Sequence, residues 1–203
     1  MTIYNLKTKF QNFLRPAAEA LHRWGITPNQ ITVFTCMLSL GYAICWILFA
    51  DCIAIYLSFP ILFFIRMALN AIDGMIANDH NKKTKLGAVL NEICDVSADF
   101  FLAFALLFVA KVNVHLLWGF IYMSLLAETA RAWSFAVSGK HSHAGPLGKS
   151  DRGVVLTIIA YLVAWEAWHR VDLTGPIEII LGLAIVLLGL TVFNRLKFSL
   201  KEK

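Results

Sequence analysis

Six long apolar runs, separated by short polar connections, leave this 203-residue chain few folds to choose from. A helix needs about 20 apolar residues to cross a hydrocarbon core about 30 Å thick, and most of these runs reach that length without a soluble-type alternation of polar faces. They are read at residues 31–50, 53–77, 86–110, 114–138, 153–168 and 177–198, the fifth being the shortest. With 59% hydrophobic and 15% charged residues, the chain is too apolar for a soluble domain of its size. The expectation is an all-α integral membrane protein with six transmembrane helices. The sequence shows no internal repeat or low-complexity tract.

Ahead of these runs, Ile3, Leu6, Phe10, Phe13, Ala17, Leu21 and Trp24 recur at helical spacing, while Lys7, Lys9, Arg15, Glu19 and Arg23 fall mostly on other faces. This predicts an N-terminal amphipathic interfacial helix, with packing of a water-facing helix on the bundle as the alternative. Pro16 is expected to kink or restart it. Residues 1–24 are thus read as a juxtamembrane helix and 25–203 as one six-helix membrane domain, with Gly25-Ile26-Thr27-Pro28-Asn29-Gln30 as the breaker between them. No cleavable leader is expected, because a basic amphipathic stretch rather than a short n-region precedes the first long apolar run. Cys36, Cys45, Cys52 and Cys94 lie in or beside apolar runs without a Cys-x-x-Cys pair, which favours packing over zinc or disulfides.

The net charge of +5 gathers at the ends of apolar segments, where it meets anionic headgroups rather than nucleic acid. The N-terminal segment, the 79–85 and 139–152 connections and the C-terminal end carry fourteen Lys and Arg, whereas Lys111 and Arg170 alone fall on the other side. The positive-inside rule therefore puts both termini, both longer connections and the active site in the cytoplasm, in a bacterial inner membrane.

Ionisable groups inside membrane helices are costly, so each invites a functional reading. Here they concentrate. Asn70 and Asp73 lie three apart near the end of the second run, and Asn91, Asp95 and Asp99 lie four apart on the third, so each set shares a helix face. The short connection makes the two helices antiparallel neighbours, bringing Asn70 and Asp73 opposite Asn91 and Asp95. Converging carboxylates and amides are hard oxygen ligands suited to Mg²⁺ or Mn²⁺, and Mg²⁺ commonly completes its shell with substrate phosphates. The alternative is a polar network that only stabilises the bundle.

The spacing Asn70-x-x-Asp73-Gly74-x-x-Ala77-Asn78, eight residues, then Gly87-x-x-x-Asn91-x-x-x-Asp95 resembles the signature of the CDP-alcohol phosphotransferase family, D-x-x-D-G-x-x-A-R followed by G-x-x-x-D-x-x-x-D. Thr27-Pro28-Asn29 and the six-helix layout extend the resemblance over most of the chain. It implies transfer of a phosphatidyl group from CDP-diacylglycerol to a small alcohol, phosphorylated or not, with release of CMP. It further implies Mg²⁺ or Mn²⁺ at Asn70, Asp73, Asn91 and Asp95, a CDP moiety at Gly74, Ala77, Asn78 and Gly87, Asp95 as the base for the acceptor hydroxyl, and a homodimer. Asn70, Asn91 and Asn78 depart from the pattern, leaving two aligned carboxylates, and Asp99 is the residue expected to restore charge to the metal site.

A second polar island, Gly145 to Arg152, is read as a cytoplasmic loop before the fifth span, with Lys149 and Arg152 as candidate ligands for an acceptor phosphate. Similar basic stretches occur in family members that use phosphorylated acceptors. Arg131 could line the same pocket, although an ion pair with Glu128 is the default. Arg195 reads as a snorkelling side chain, and His141 and His143 as solvated loop residues. Two rivals remain: a catalytically silent member that binds nucleotide lipid or acts as a scaffold, and a small transporter using the acids as a proton relay.

Overall fold

The computed structural model describes the backbone of residues 3–139 and 142–201 and the side chains of 9–139 and 142–200. Within that range the chain folds into seven helices, and no strand occurs among the described residues: α1 (Ile3–Arg23), α2 (Pro28–Leu48), α3 (Ile53–Asp79), α4 (Lys85–Val109), α5 (Val114–Ser138), α6 (Lys149–His169) and α7 (Thr174–Lys201). By length and composition α2, α3 and α7 can cross a membrane. Helix α4 is long enough, but Glu92, Asp95 and Asp99 break its apolar run.

Helix starts follow from local chemistry. Thr27 and Gln30 cap α2 reciprocally: the Thr27 N–H donates to Gln30 Oε1 at 2.8 Å, the Gln30 N–H donates to Thr27 Oγ1 at 3.4 Å, and Pro28 occupies the first turn. Helix α4 starts behind Thr84, whose Oγ1 accepts from the Gly87 N–H at 2.9 Å. Helix α6 starts at Lys149, earlier than the sequence reading placed it, so Lys149 to Arg152 form its first turn rather than a loop. The cause is Asp151, which accepts the Gly148 N–H at 2.7 Å and sets a carboxylate against the positive helix end. Helix α1 runs through Pro16 without a restart.

One compact unit comprises the chain up to Gly41 together with Pro60–Ala98; Tyr42–Phe59 and Asp99 onward form another. In the first, Leu14 and Ala18 of α1 pack with Ile31 of α2 and Ile72, Met75 and Ile76 of α3, and Phe10 and Leu21 flank them. The inner row of α1 is therefore Phe10-Leu14-Ala18-Leu21, one step round from the expected stripe. Phe13, Ala17 and Trp24 face outward, and Ile3 and Leu6 lie outside the described side chains. Packing thus takes one apolar row and leaves a second exposed. Arg15 pairs with Asp79 at 3.1 Å across α1 and α3.

In the second unit α7 packs against α5 and α6. Its buried row is Ile177, Leu181, Ala184, Leu188 and Thr191, yet its outer row of Ile179, Leu183, Val186, Leu190 and Phe193 is just as apolar and exposed. Helix α2 shows the inverse of a soluble pattern: Thr32, Thr35 and Ser39 are buried while Val33, Phe34 and Met37 are exposed. The inward hydroxyls bond to carbonyls one turn back, Thr35 to Ile31 at 2.8 Å and Ser39 to Thr35 at 2.9 Å, which satisfies them without a second helix. Lipid is the solvent that suits both helices. Of the four cysteines, all free, Cys36 is buried and Cys94 partly so; Cys45 and Cys52 are exposed, so packing does not account for them.

Candidate active site

The α3–α4 turn brings two polar helix faces together. Asn70 and Asp73 on α3 and Asn91 on α4 line one cleft of about 350 Å³ with Asn29, Thr32, Gly74, Ala77, Asn78, Gly87 and the rim lysines Lys82 and Lys83. Asp73 is 5% exposed and accepts the Thr32 hydroxyl at 2.6 Å. Asp95 accepts the Asn70 amide N–H at 2.9 Å on one oxygen and, more weakly, that of Asn91 at 3.5 Å on the other. A carboxylate only accepts, so both amides turn their nitrogens toward Asp95 and leave their carbonyl oxygens unspent on it.

The two motif glycines differ. A Cβ at Gly74 would meet nothing within 4 Å, so the protein's own packing does not require this glycine. A Cβ at Gly87 would lie 2.7 Å from Asn29 Oδ1, a close approach that excludes a side chain unless Asn29 moves. Asn78 donates to the Gly74 carbonyl at 2.7 Å. The Thr32 and Asn29 contributions escape sequence reasoning, although the capped Thr27-Pro28-Asn29 start that aims them was visible.

Among the described residues no three His, Cys, Asp or Glu side chains group as a metal cluster. At this cleft the donors are instead carboxylates and amide carbonyls, an all-oxygen set that fits a hard divalent ion with less charge than four aspartates would supply.

In the second unit a buried ionic cluster surrounds Glu128. Its Oε1 accepts from Arg152 Nη1 at 2.8 Å and lies 3.5 Å from Arg195 Nη1; its Oε2 accepts from Arg131 Nε at 2.8 Å. Arg152 also donates to Asp99 at 2.9 Å, and Arg195 to the Ala127 carbonyl at 2.5 Å. The predicted pair Glu128–Arg131 is present, but Arg195 does not snorkel. It is 3% exposed, because Glu128 draws its guanidinium inward. Arg195 was the residue sequence reading misplaced; its position on the buried row of α7, one turn after Thr191, was the available signal. His143 is exposed, and His141 lies outside the described residues. A separate cleft of about 690 Å³ lies at the α2–α3, α4–α5 and α6–α7 connections beside Asp51, Lys111 and Arg170, and holds none of the predicted site residues.

An apolar, helical chain that sets Asp73 and a group of amides into one cleft at a tight helix turn, with Asp95 held by two of those amides, has the build of a membrane-embedded phosphotransferase. Residues 25–193 match the CDP-alcohol phosphatidyltransferase family, and the chain belongs to it. It is an integral membrane protein. It is 37% identical over 199 residues to the inner membrane protein YnbA of Escherichia coli (strain K12), covering 96% of this chain and 94% of that one. The fold is also that of Mycobacterium tuberculosis phosphatidylinositol phosphate synthase (PgsA1). The structure of that protein with CDP-DAG bound superposes with a TM-score of 0.74 at 20% identity, covering 93% and 94% of the two chains. Its structure with manganese and citrate gives 0.72 at 21%, covering 92% and 88%.

Proposed function

We propose that the protein transfers a phosphatidyl group from CDP-diacylglycerol to a small alcohol, releasing CMP, and does so at the cytoplasmic face of a six-span bundle flanked by the interfacial α1. The observation that carries this reading is the convergence of Asn70, Asp73 and Asn91 on one cleft, with Asp95 held by both amides. The acyl chains of the donor can stay in the bilayer while its diphosphate enters a polar cleft. A homodimer follows from the family resemblance alone.

Asp73, Asn70, Asn91 and Asp95 would hold Mg²⁺ or Mn²⁺, whereas Asp99, expected to add charge there, pairs with Arg152 instead. When bound, such an ion neutralises charge that gathers on the diphosphate as CMP departs. The chain supplies the rest. Asn70 and Asn91 fix the Asp95 carboxylate through their N–H groups. Asp95 takes the acceptor proton as the acceptor oxygen bonds to the lipid-side phosphorus and the bond from that phosphorus to the CMP oxygen breaks. The open space at Gly74, with Ala77, Asn78 and Gly87, admits the nucleotide. Lys82 and Lys83 add positive charge at the rim.

The protein, purified and reconstituted in lipid discs with labelled CDP-diacylglycerol and a pool of alcohols, should release CMP only with Mg²⁺ or Mn²⁺, and mass spectrometry should identify one new phospholipid. Asp73→Ala and Asp95→Ala should each lower turnover by about 10³-fold or more with the fold retained. Wild-type activity in either variant would remove the site assignment. The amide donors on Asp95 also suit a silent nucleotide-lipid binder; CDP-diacylglycerol binding without any CMP release would select that reading.

A further inference from the structure

The end of α1 meets the rim of the Asp73 cleft, and the residues of that meeting belong to one compact unit. Of the side chains that line the cleft, those of Lys82 and Lys83 carry positive charge. At position 78, where the family pattern has arginine, the Asn78 amide is spent on the Gly74 carbonyl at 2.7 Å. A diphosphate entering the cleft finds no guanidinium at that position, and the lysines of the rim are the cations left to meet it.

Lys82 is fixed twice. Its backbone closes α3: Asn81 is left-handed, with φ +52°, and the Lys82 N–H donates to the carbonyl of Ala77, a cleft residue, at 3.0 Å. Its side chain runs to α1, where Nζ lies 3.3 Å from His22 Nδ1. The His22 ring stacks in turn on His80, with centroids 3.6 Å apart and planes 21° from parallel. Lys83, beside it, is exposed.

The kind of partner matters. An ammonium only donates, so the histidine nitrogen that meets it is an acceptor. The His22 pKa is lowered by desolvation and then by the charges of His80 and Lys82, which keeps the ring neutral near pH 7. A neutral acceptor holds Lys82 by one N–H and leaves its charge and two N–H groups for a ligand, whereas a carboxylate would cancel that charge. The carboxylate of Asp79, three positions back, is engaged by Arg15 of α1 at 3.1 Å.

We propose that His22 is a positioning residue of the donor site: it holds the Lys82 ammonium at the cleft rim, where Lys82 binds the diphosphate of the cytidine nucleotide, so that α1 completes the nucleotide site. This rests on the phosphatidyl-transfer reading above.

The test uses the full chain in lipid discs with Mn²⁺, as wild type, Lys82→Met, His22→Phe and His22→Asn. Phenylalanine keeps a ring to stack on His80 but offers no acceptor; asparagine loses the ring but sets an oxygen near the place of Nδ1. Lys82→Met and His22→Phe should each raise KM for CDP-diacylglycerol by about tenfold with kcat within about twofold, while His22→Asn should stay within about threefold of wild type in both. Adding His22→Phe to Lys82→Met should change nothing further, because the histidine acts through the lysine. Calorimetry with CDP and Mn²⁺ should give the same order of affinities without turnover. A contact that merely anchors α1 would lower the melting temperature of both His22 variants and leave KM and CDP affinity unmoved, and that result overturns the proposal. So does a His22→Asn variant as weak as His22→Phe, or a Lys82→Met variant that binds CDP like wild type. If no alcohol gives CMP release, the transfer reading fails and CDP uptake alone decides the role of His22; no CDP uptake by wild type overturns both. If His22→Phe does not fold, the proposal stands on Lys82→Met losing CDP affinity while His22→Asn keeps it, and falls on any other result.

Discussion

At the scale of single residues the site is organised by two amides where carboxylates would be expected. An aspartate at position 70 or 91 could not donate to Asp95; asparagine does, at 2.9 Å from Asn70. Under the proposed function, the exchange would trade metal charge for a fixed base. Restoring both carboxylates in an Asn70→Asp, Asn91→Asp variant should therefore separate two effects. Without metal, like charges crowd Asp95 and the melting temperature falls; with Mn²⁺ it recovers, and the concentration giving half-maximal stabilisation should drop by about tenfold relative to wild type, because charge count sets affinity in oxygen sites. A thermal melt across a Mn²⁺ series reads both. The motif spacing made Asn70, Asp73, Asn91 and Asp95 legible in the sequence, since three- and four-residue steps put them on shared faces. Their hydrogen-bond directions were not legible, because rotamers depend on the facing helix. The inward turn of Arg195 was hidden for the same reason: its partner Glu128 lies 67 positions away along the chain.

At the scale of elements, boundaries were readable where local chemistry sets them and obscure where tertiary packing does. Thr27-Pro28-Asn29-Gln30 announces a helix start in its own residues, whereas the inner row of α1 depends on which face α3 offers. The connection before α6 is held by a close approach: Gly145 has φ +133°, and a Cβ there would lie 2.7 Å from Thr191 Cα, while the Leu147 N–H donates to Thr191 Oγ1 at 3.0 Å. Gly145→Ala should destabilise the protein by about 1–3 kcal/mol from backbone strain, more if α7 is displaced, and show as a lower melting temperature in detergent. At the end of α1, His22 stacks on His80 with ring centroids 3.6 Å apart and meets Lys82 Nζ at 3.3 Å. Partial burial, and then the charges of His80 and Lys82, push the His22 pKa down. The folded protein thus binds that proton more weakly than the unfolded chain. The contact is intact above the ordinary histidine value of about 6.5 and weakens as pH falls through it, so melting temperature should drop between pH 7.5 and 5.5, less so in His22→Gln.

At the scale of the whole molecule, the apolar outer rows of α2 and α7 make lipid the surrounding phase, and the asymmetry of Lys and Arg predicts a cytoplasmic position for both termini. A fluorescent protein that matures only in the cytoplasm, fused after Lys203, should light up, and an alkaline phosphatase inserted beside Lys111 should be active outside; the opposite pair of results would invert the topology. The spans of α2, α3 and α7 were readable because hydropathy integrates over about 20 residues. Helix α4 is the ambiguous one, since the acids that interrupt its apolar run include Asp95, which the Asn70 and Asn91 amides hold, and Asp99, which pairs with Arg152.

Glu128 has one more consequence. A membrane enzyme that keeps buried arginines for a visiting anion must endure their bare charge whenever that visitor is away, at a cost of several kcal/mol. A counter-ion built into the polymer cannot diffuse off, so the helices that carry Arg131, Arg152 and Arg195 should hold their packing with no outside anion present.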